Sequence, residues 1–318
     1  MLKRQLGRSG LEISALGLGC WAIGGPFWHD GHPAGWGNVN DTESLRALHR
    51  ALDLGITFFD TSDVYGCGHS ERLLGRALAR HRAHVVIATK FGHTFEEHTR
   101  QMTGDNASTA YIRRACEASL RRLNTEYIDL YQFHLGDYDP VLAVQVREVL
   151  EELVAEGKIR FYGWSTDDPE RARVFAQGTH CVAVQHRLNL FSTYPAAMLA
   201  LCEEYNLASI NRTPLAMGVL TGKYRLRVTF PPDDVRHDYD REEAAVMFAQ
   251  LDALHDILTR DGRTLAQGAL GWIWGCGPRT IPIPGFKTAA QVEENVSTLR
   301  LGPLSSEQMQ EINALFGR

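Results

Sequence analysis

The sequence is 318 residues long, and much of what it says first comes from what is missing. No uninterrupted apolar run approaches the length of a membrane span, which argues against a transmembrane protein. The first ten residues, MLKRQLGRSG, hold no apolar core of the kind a secretory signal needs. Basic residues are not in surplus: 33 Lys and Arg stand against 38 Asp and Glu, for a net charge of -5. With no basic stripe, no nucleic-acid footprint is expected. The six cysteines, Cys20, Cys67, Cys116, Cys181, Cys202 and Cys276, form no CxxC pair. Their scatter implies reduced, mostly buried thiols in a cytoplasmic protein and argues against structural zinc. There is no low-complexity linker and no shift in composition, so one domain spanning 1–318 is expected. No strand is followed by G-x-G-x-x-G. The glycines of GLGCWAIGG miss that spacing, which removes the main support for an open dinucleotide-binding sheet.

What is present is alternation. A short hairpin, KRQLGRSGLEIS, with Arg8, Ser9 and Gly10 at its turn, precedes the apolar ALGLGC. In DTESLRALHRALDLG, residues Leu45, Leu48, Ala51 and Leu52 share one helical face, with Asp41 placed as N-cap and Gly55 as stop. The strand-then-helix unit then recurs from ITFFD through HVVIATK, YIDLYQFH, IRFYGWS, HCVAVQ, ASINRT and RTIPIP. A last helix, SSEQMQEINALFG, opens with Ser305 and Gln308 spaced as a capping box. Eight units with nearly continuous apolar strands predict a closed (β/α)8 TIM barrel, with a short N-terminal β-hairpin and an extra C-terminal helix.

In such a barrel, chemistry gathers where strands end. The predicted strands end in Asp60, Lys90, His134, Ser165 with Thr166, Gln185, and Arg212 with Thr213; the eighth runs into Gly285, Phe286 and Lys287. Tyr65 lies in the loop after Asp60. Each has an ordinary explanation: a turn former, a solvated lysine, a satisfied histidine. Yet the second, third and fourth strands are neighbours, so Asp60, Tyr65, Lys90 and His134 are expected at one place on the rim. A phenol has a pKa near 10, too high for easy proton transfer at neutral pH. A nearby ammonium favours the phenolate. A carboxylate would hold that ammonium, and a histidine could orient a carbonyl. These four residue types describe a general-acid site built on Tyr65. Asp63, beside them in FFDTSDVYG, reads as a turn residue.

With these residues in hand, the chain resembles the aldo-keto reductases over essentially its whole length. The matching segments are GLGCW, FFDTSDVYG, IATKFG, DLYQFH, GKIRFYGWST, VAVQ, TPLAMGVLTGKY and IPIPGFKTAAQVEEN, in the family's order. The resemblance implies a metal-independent barrel that passes hydride from NADPH to an aldehyde or ketone, or runs the reverse alcohol oxidation. It assigns Asp60, Tyr65, Lys90 and His134 to the catalytic tetrad, with Tyr65 as proton donor. It also implies cofactor contacts. Ser165 and Gln185 match the residues that hold the nicotinamide carboxamide, with Thr166 where Asn is common. Thr213, Pro214, Leu215, Gly218, Thr221 and Lys223 fall in the pyrophosphate segment, and Gly19, Cys20 and Trp21 border the cofactor from the first strand. Gly285, Phe286 and Lys287 lie toward the adenosine 2'-phosphate, and Gln291, Glu294 and Asn295 near the adenine. Arg212 replaces an aromatic that stacks on the nicotinamide. Gln291 stands where some members carry an arginine, which leaves NADH open as an alternative.

Three loops should shape the substrate side: 21–40, 93–109 and 225–240. Trp21, Trp28, Arg187 and Asn189 are the expected pocket residues, and 225–240 is a candidate lid. Two other readings compete. One is a cofactor-binding regulatory subunit on the same barrel, opposed by the intact tetrad and by the lack of an extra N-terminal segment. The other is a metal-dependent hydrolase using Asp60, Asp63 and His134, opposed by the scarcity of further ligands at the rim. The physiological substrate and the oligomeric state are not legible.

Overall fold

The computed structural model describes residues 1–224, 228–237 and 241–317. Strands β1 (Lys3–Gln5) and β2 (Glu12–Ser14) pair as the N-terminal hairpin, and β3 (Leu18–Gly19) opens the barrel. A small hairpin, β4 (Trp28–His29) and β5 (His32–Pro33), precedes α1 (Asp41–Asp53). The alternation continues with β6 (Phe58–Asp60), α2 (His69–Leu78) and β7 (Val86–Phe91). A second hairpin, β8 (His93–Glu96) and β9 (Gln101–Asp105), precedes α3 (Thr109–Leu123). Then come β10 (Ile128–Phe133), α4 (Pro140–Ala155), β11 (Ile159–Ser165), α5 (Pro169–Ala176), β12 (Cys181–Arg187) and α6 (Ala196–Glu204). The chain closes with β13 (Ala208–Arg212), α7 (Arg241–Leu258), α8 (Leu265–Gly275), β14 (Thr280–Pro282), α9 (Ala289–Leu301) and α10 (Ser306–Phe316).

Eight strands run parallel in the order β3-β6-β7-β10-β11-β12-β13-β14. The ends of the sheet meet: Gly17 N–H donates to Pro282 O at 3.0 Å, and Gly19 N–H donates to Pro284 O at 3.1 Å. The seam is tight, since a Cβ on Gly19 would stand 2.7 Å from Ile283 O. The result is the closed (β/α)8 barrel that the sequence predicts.

Side chains alternate across each strand with period two. Phe58 turns inward with Val86, Ala88, Leu130, Ile210 and Ile281, while Phe59 packs outward in the strand–helix layer. Leu6 of the hairpin segment joins the inner cluster and stops the lower end of the barrel. The same period carries Asp60, two residues past Phe58, onto the inner face, and it puts Lys90 above Ala88 and Gln132 above Leu130. Cross-strand register makes Lys90 and Gln132 partners, as it does Ser165 and Gln185. A polar layer thus sits directly on an apolar floor.

The helix signals resolve in detail. Ser305 and Gln308 form the expected capping box at the start of α10. At α1 the N-cap is Asn40, whose side chain accepts from Glu43 N–H; Asp41 is instead the first helical residue, where its charge favours the helix N-terminus. Gly55, at φ +83, ends that helix as expected. The two long loops hold the main departure from the sequence reading. Both contain hairpins, joined by a parallel pairing of Trp28 with Gln101 into one four-stranded sheet, β5-β4-β9-β8. No disulfide joins the six cysteines, five of which are buried. No described helix is long and apolar enough to cross a membrane.

Candidate active site

At the C-terminal rim, Lys90 Nζ lies 2.5 Å from Asp60 Oδ1, both fully buried, and also donates to Thr61 O at 2.8 Å. Asp60 Oδ2 accepts from Gln185 Nε2 at 2.8 Å and from Gln132 Nε2 at 3.0 Å. Three donors from three strands therefore fix one carboxylate. Gln132 escaped the sequence reading. Its only signal was a polar residue inside the apolar run of YIDLYQFH.

Tyr65 sits on the turn after β6 with its hydroxyl 3.4 Å from Lys90 Nζ. Its ring stacks on Trp21 at 5.9 Å and meets His134 edge-on at 6.1 Å. Asp60, Tyr65, Lys90 and His134 are thus brought together. Burial pushes the Tyr65 phenol above its usual range; the Lys90 ammonium pulls the other way, and Asp60 adds to the rise. The sequence argument expected the lysine to lower this pKa outright. It does act in that direction, but full burial outweighs it. Lys90 is subject to the same burial, which would lower it, yet Asp60 holds it above its ordinary value. His134 is held well below its usual range, mainly by burial, then by His93 and Lys90, so it is neutral.

Above this layer opens a cavity of about 990 Å³, at the upper end for small-molecule sites. Gly19, Trp21, Ser165, Thr166, Gln185 and Arg187 line it. So do Arg212, Thr213, Pro214, Leu215, Gly218, Thr221 and Lys223, and on the far side Gly285, Phe286, Lys287 and Gln291. Phe27 and Trp36 from the first loop line it as well. Five expected contacts lie off the wall. Cys20 is buried behind β3, its N–H donating to Asp60 O. Trp28 is drawn into the capping sheet by its pairing with Gln101. Asn189 spends its side chain on the local turn, donating to Thr213 O and accepting from Phe191 and Ser192 N–H. Asn295 is buried against Gly285 O, and Glu294 meets α8 through its backbone carbonyl, which accepts from Gln267 Nε2.

The wall suits a large polar ligand. The buried Thr213 hydroxyl has no hydrogen-bond partner among the described residues. The Ser165 hydroxyl makes no hydrogen bond among the described residues, and Gln185, whose N–H is given to Asp60, keeps a carbonyl oxygen. Thr213, Ala216, Met217 and Gly218 all have positive φ, which turns the backbone sharply after β13. Thr166 is less available, since its hydroxyl donates to Gly136 O at 2.8 Å. Arg212 is tied to Asp167 at 2.6 Å, and Lys287 Nζ donates to the carbonyls of Trp36 and Asn38.

The described part of the candidate lid, 228–237, packs on the first loop; 225–227 and 238–240 lie outside the described residues. Val235 N–H donates to Gly35 O at 2.6 Å. Arg236 pairs with the buried Asp234 at 2.8 Å and lies over the rings of Phe230 (4.1 Å) and Trp36 (4.5 Å). Among the described residues no group of three or more His, Cys, Asp or Glu is placed to hold a metal ion.

A (β/α)8 barrel with a buried ion pair beneath a phenol and a neutral imidazole, opening on a cavity this large, defines a class of barrel oxidoreductases. Comparison with known proteins then fixes the family. The aldo/keto reductase family model matches residues 15–316, and the chain belongs to that family. It is 31% identical to the aldo-keto reductase YhdN of Bacillus subtilis over 316 residues, covering 97% of this chain and 91% of that protein. Among solved structures, it is similar to glycerol dehydrogenase AKR11B4 from Gluconobacter oxydans (31% identity, TM-score 0.84), covering 99% of this chain and 95% of that one. It is likewise similar to an aldo-keto reductase from Klebsiella pneumoniae in complex with NADPH (27% identity, TM-score 0.72), covering 99% and 96%. The protein is an oxidoreductase.

Proposed function

We propose that this chain, folded as one barrel domain, reduces an aldehyde or ketone with NADPH, or oxidises the corresponding alcohol in reverse. The observation that carries the reading is the Tyr65 hydroxyl 3.4 Å from Lys90 Nζ, itself 2.5 Å from Asp60, with His134 beside the same cavity. The bound cofactor supplies the hydride that reaches the carbonyl carbon. Tyr65 gives its proton to the carbonyl oxygen, and Lys90 stabilises the phenolate left behind. Asp60, held by Gln132 and Gln185, keeps the ammonium charged and in place. His134, neutral, orients the carbonyl by a hydrogen bond.

Ser165 and Gln185 hold the carboxamide, with Thr166 contributing less because its hydroxyl is already used. The turn at Thr213–Gly218, with Thr221 and Lys223, receives the pyrophosphate. Lys287 answers the 2'-phosphate and favours NADPH. Gln291 adds no charge there: its side chain caps α9 and accepts from Lys287 N–H. Trp21 and Arg187, with Phe27 and Trp36, border the substrate.

The test mixes the protein with NADPH and a panel of aldehydes, ketones and sugars, with and without chelator, and follows loss of NADPH absorbance. The glycerol dehydrogenase likeness puts polyols on the reverse panel. Tyr65→Phe should lower the rate by about 10²–10⁴. Wild-type rates in that variant, or loss of activity on chelation, would sink the mechanism. Tight NADPH binding with no turnover of any substrate would favour a regulatory role.

A further inference from the structure

Asp63 was read from the sequence as a turn residue. It does lie in a turn, but its side chain is only 2% exposed and forms no ion pair among the described residues. Glu71 faces it from α2, Arg122 and Tyr111 from α3, Tyr131 from β10 and Cys67 from its own turn. Arg122 is already committed, with Nε 2.6 Å from Glu71 Oε2 and a second contact to Glu97. Asp63 is thus a buried carboxyl without a cation of its own, beside a second carboxylate that has claimed the guanidinium. Such a group is held neutral rather than ionised. Its pKa is pushed well above the carboxylate range, first by burial and then by Glu71.

Ser62, fully buried, stands between this acid and the site. Its Oγ lies 3.2 Å from Asp63 Oδ1 and 3.2 Å from His134 Nδ1. A serine hydroxyl has one proton, so it donates to one neighbour and accepts from the other. An ionised Asp63 could only accept. Ser62 would then donate to it, and His134 would have to present Nδ1–H to the serine, leaving Nε2 a bare lone pair. A neutral Asp63 donates its O–H to Ser62, Ser62 donates to Nδ1, and the imidazole hydrogen sits on Nε2. His134 lines the cavity, and Nε2 makes no hydrogen bond among the described residues. Only the second arrangement offers a carbonyl oxygen a donor.

We propose that Asp63 and Ser62 form a buried hydrogen-bond relay that fixes His134 as its Nε2–H tautomer and so aims a donor at the substrate carbonyl. The proposal rests on the carbonyl-reductase reading above. Both are positioning residues, acting through His134 and losing no proton in the cycle.

The experiment is long-range ¹H–¹⁵N correlation at neutral pH on protein labelled in its histidines, with His134 assigned by its loss in His134→Gln. In the wild type Nδ1 should be of the unprotonated kind and Nε2 of the protonated kind. Asp63→Asn should keep that pattern, because an amide N–H replaces the acid O–H as donor to Ser62. Ser62→Ala should lose the preference and lower kcat for carbonyl reduction about tenfold, as one hydrogen bond would, with KM for NADPH unmoved. A wild type with its hydrogen on Nδ1, or an unchanged tautomer ratio in Ser62→Ala, would overturn the relay. If Ser62→Ala does not fold, the wild-type and Asp63→Asn spectra decide. The two readings fail separately. Carbonyl turnover with Nδ1–H overturns the relay alone, whereas Nε2–H without turnover overturns the function and keeps the relay geometry.

Discussion

Replacing Lys90 by methionine should destabilise the protein more than removing both members of its ion pair. Methionine keeps most of the apolar stem but takes away the only cation among the described residues within hydrogen-bond distance of Asp60. Deleting one partner of a buried pair typically costs about 3–5 kcal/mol, because the other charge stays buried. Here Asp60 retains two amide donors, Gln185 at 2.8 Å and Gln132 at 3.0 Å. Hydrogen bonds to a charged group contribute about 1.5–3 kcal/mol each, so the loss should fall at the lower end, about 3 kcal/mol. Asp60→Asn combined with Lys90→Met leaves no buried charge at this site, and its loss should be nearer 1 kcal/mol, so that within the double-mutant cycle Lys90→Met alone is about 2 kcal/mol less stable than the double variant. Chemical denaturation of the four proteins of this cycle at neutral pH measures it. Activity should separate from stability, since every variant lacks part of the proton-transfer apparatus and should lose about a hundredfold or more. If Lys90→Met unfolds no more easily than the double variant, Asp60 is not the buried charge that this reasoning requires.

Two further perturbations probe other parts of the molecule. Arg236→Ala strands Asp234, 3% exposed, and removes the cation that lies over Trp36 and Phe230. Hydrogen exchange in 228–237 should speed up about a hundredfold with little change in the barrel strands; unchanged protection would show that the arginine does not hold this segment. His186 is pulled down to about 4, chiefly by burial, against an unfolded value of about 6.5. Between these pH values the unfolded chain takes up a proton that the fold refuses, so stability falls as pH drops through that window, by about 3 kcal/mol in full. His186→Gln should flatten that part of the stability–pH profile, and an equally steep profile would refute the assignment.

The sequence by itself determined whatever repeats locally. Strand alternation put Phe58 and Asp60 on one face and Phe59 on the other, and eight apolar runs followed by helical faces defined the barrel. The spacing of Ser305 and Gln308 marked a helix start. Because strand ends in a barrel share one rim, Asp60, Lys90 and His134 could be gathered before any coordinates. Tertiary structure decided what depends on distance between remote segments. It brought Gln132 and Gln185 onto one carboxylate, and it drew Trp28 into a sheet with Gln101, off the pocket wall. It turned Asn189 onto its own backbone and let burial outweigh the pull of Lys90 on Tyr65. Asp63 shows the division most clearly. Its residue type and its turn are local facts, but whether it is a solvated turn former or a buried neutral acid depends on α2 and α3 closing over it, with Glu71 taking Arg122. Propensity and period act over a few residues, whereas burial and charge pairing are settled only when the whole barrel has closed.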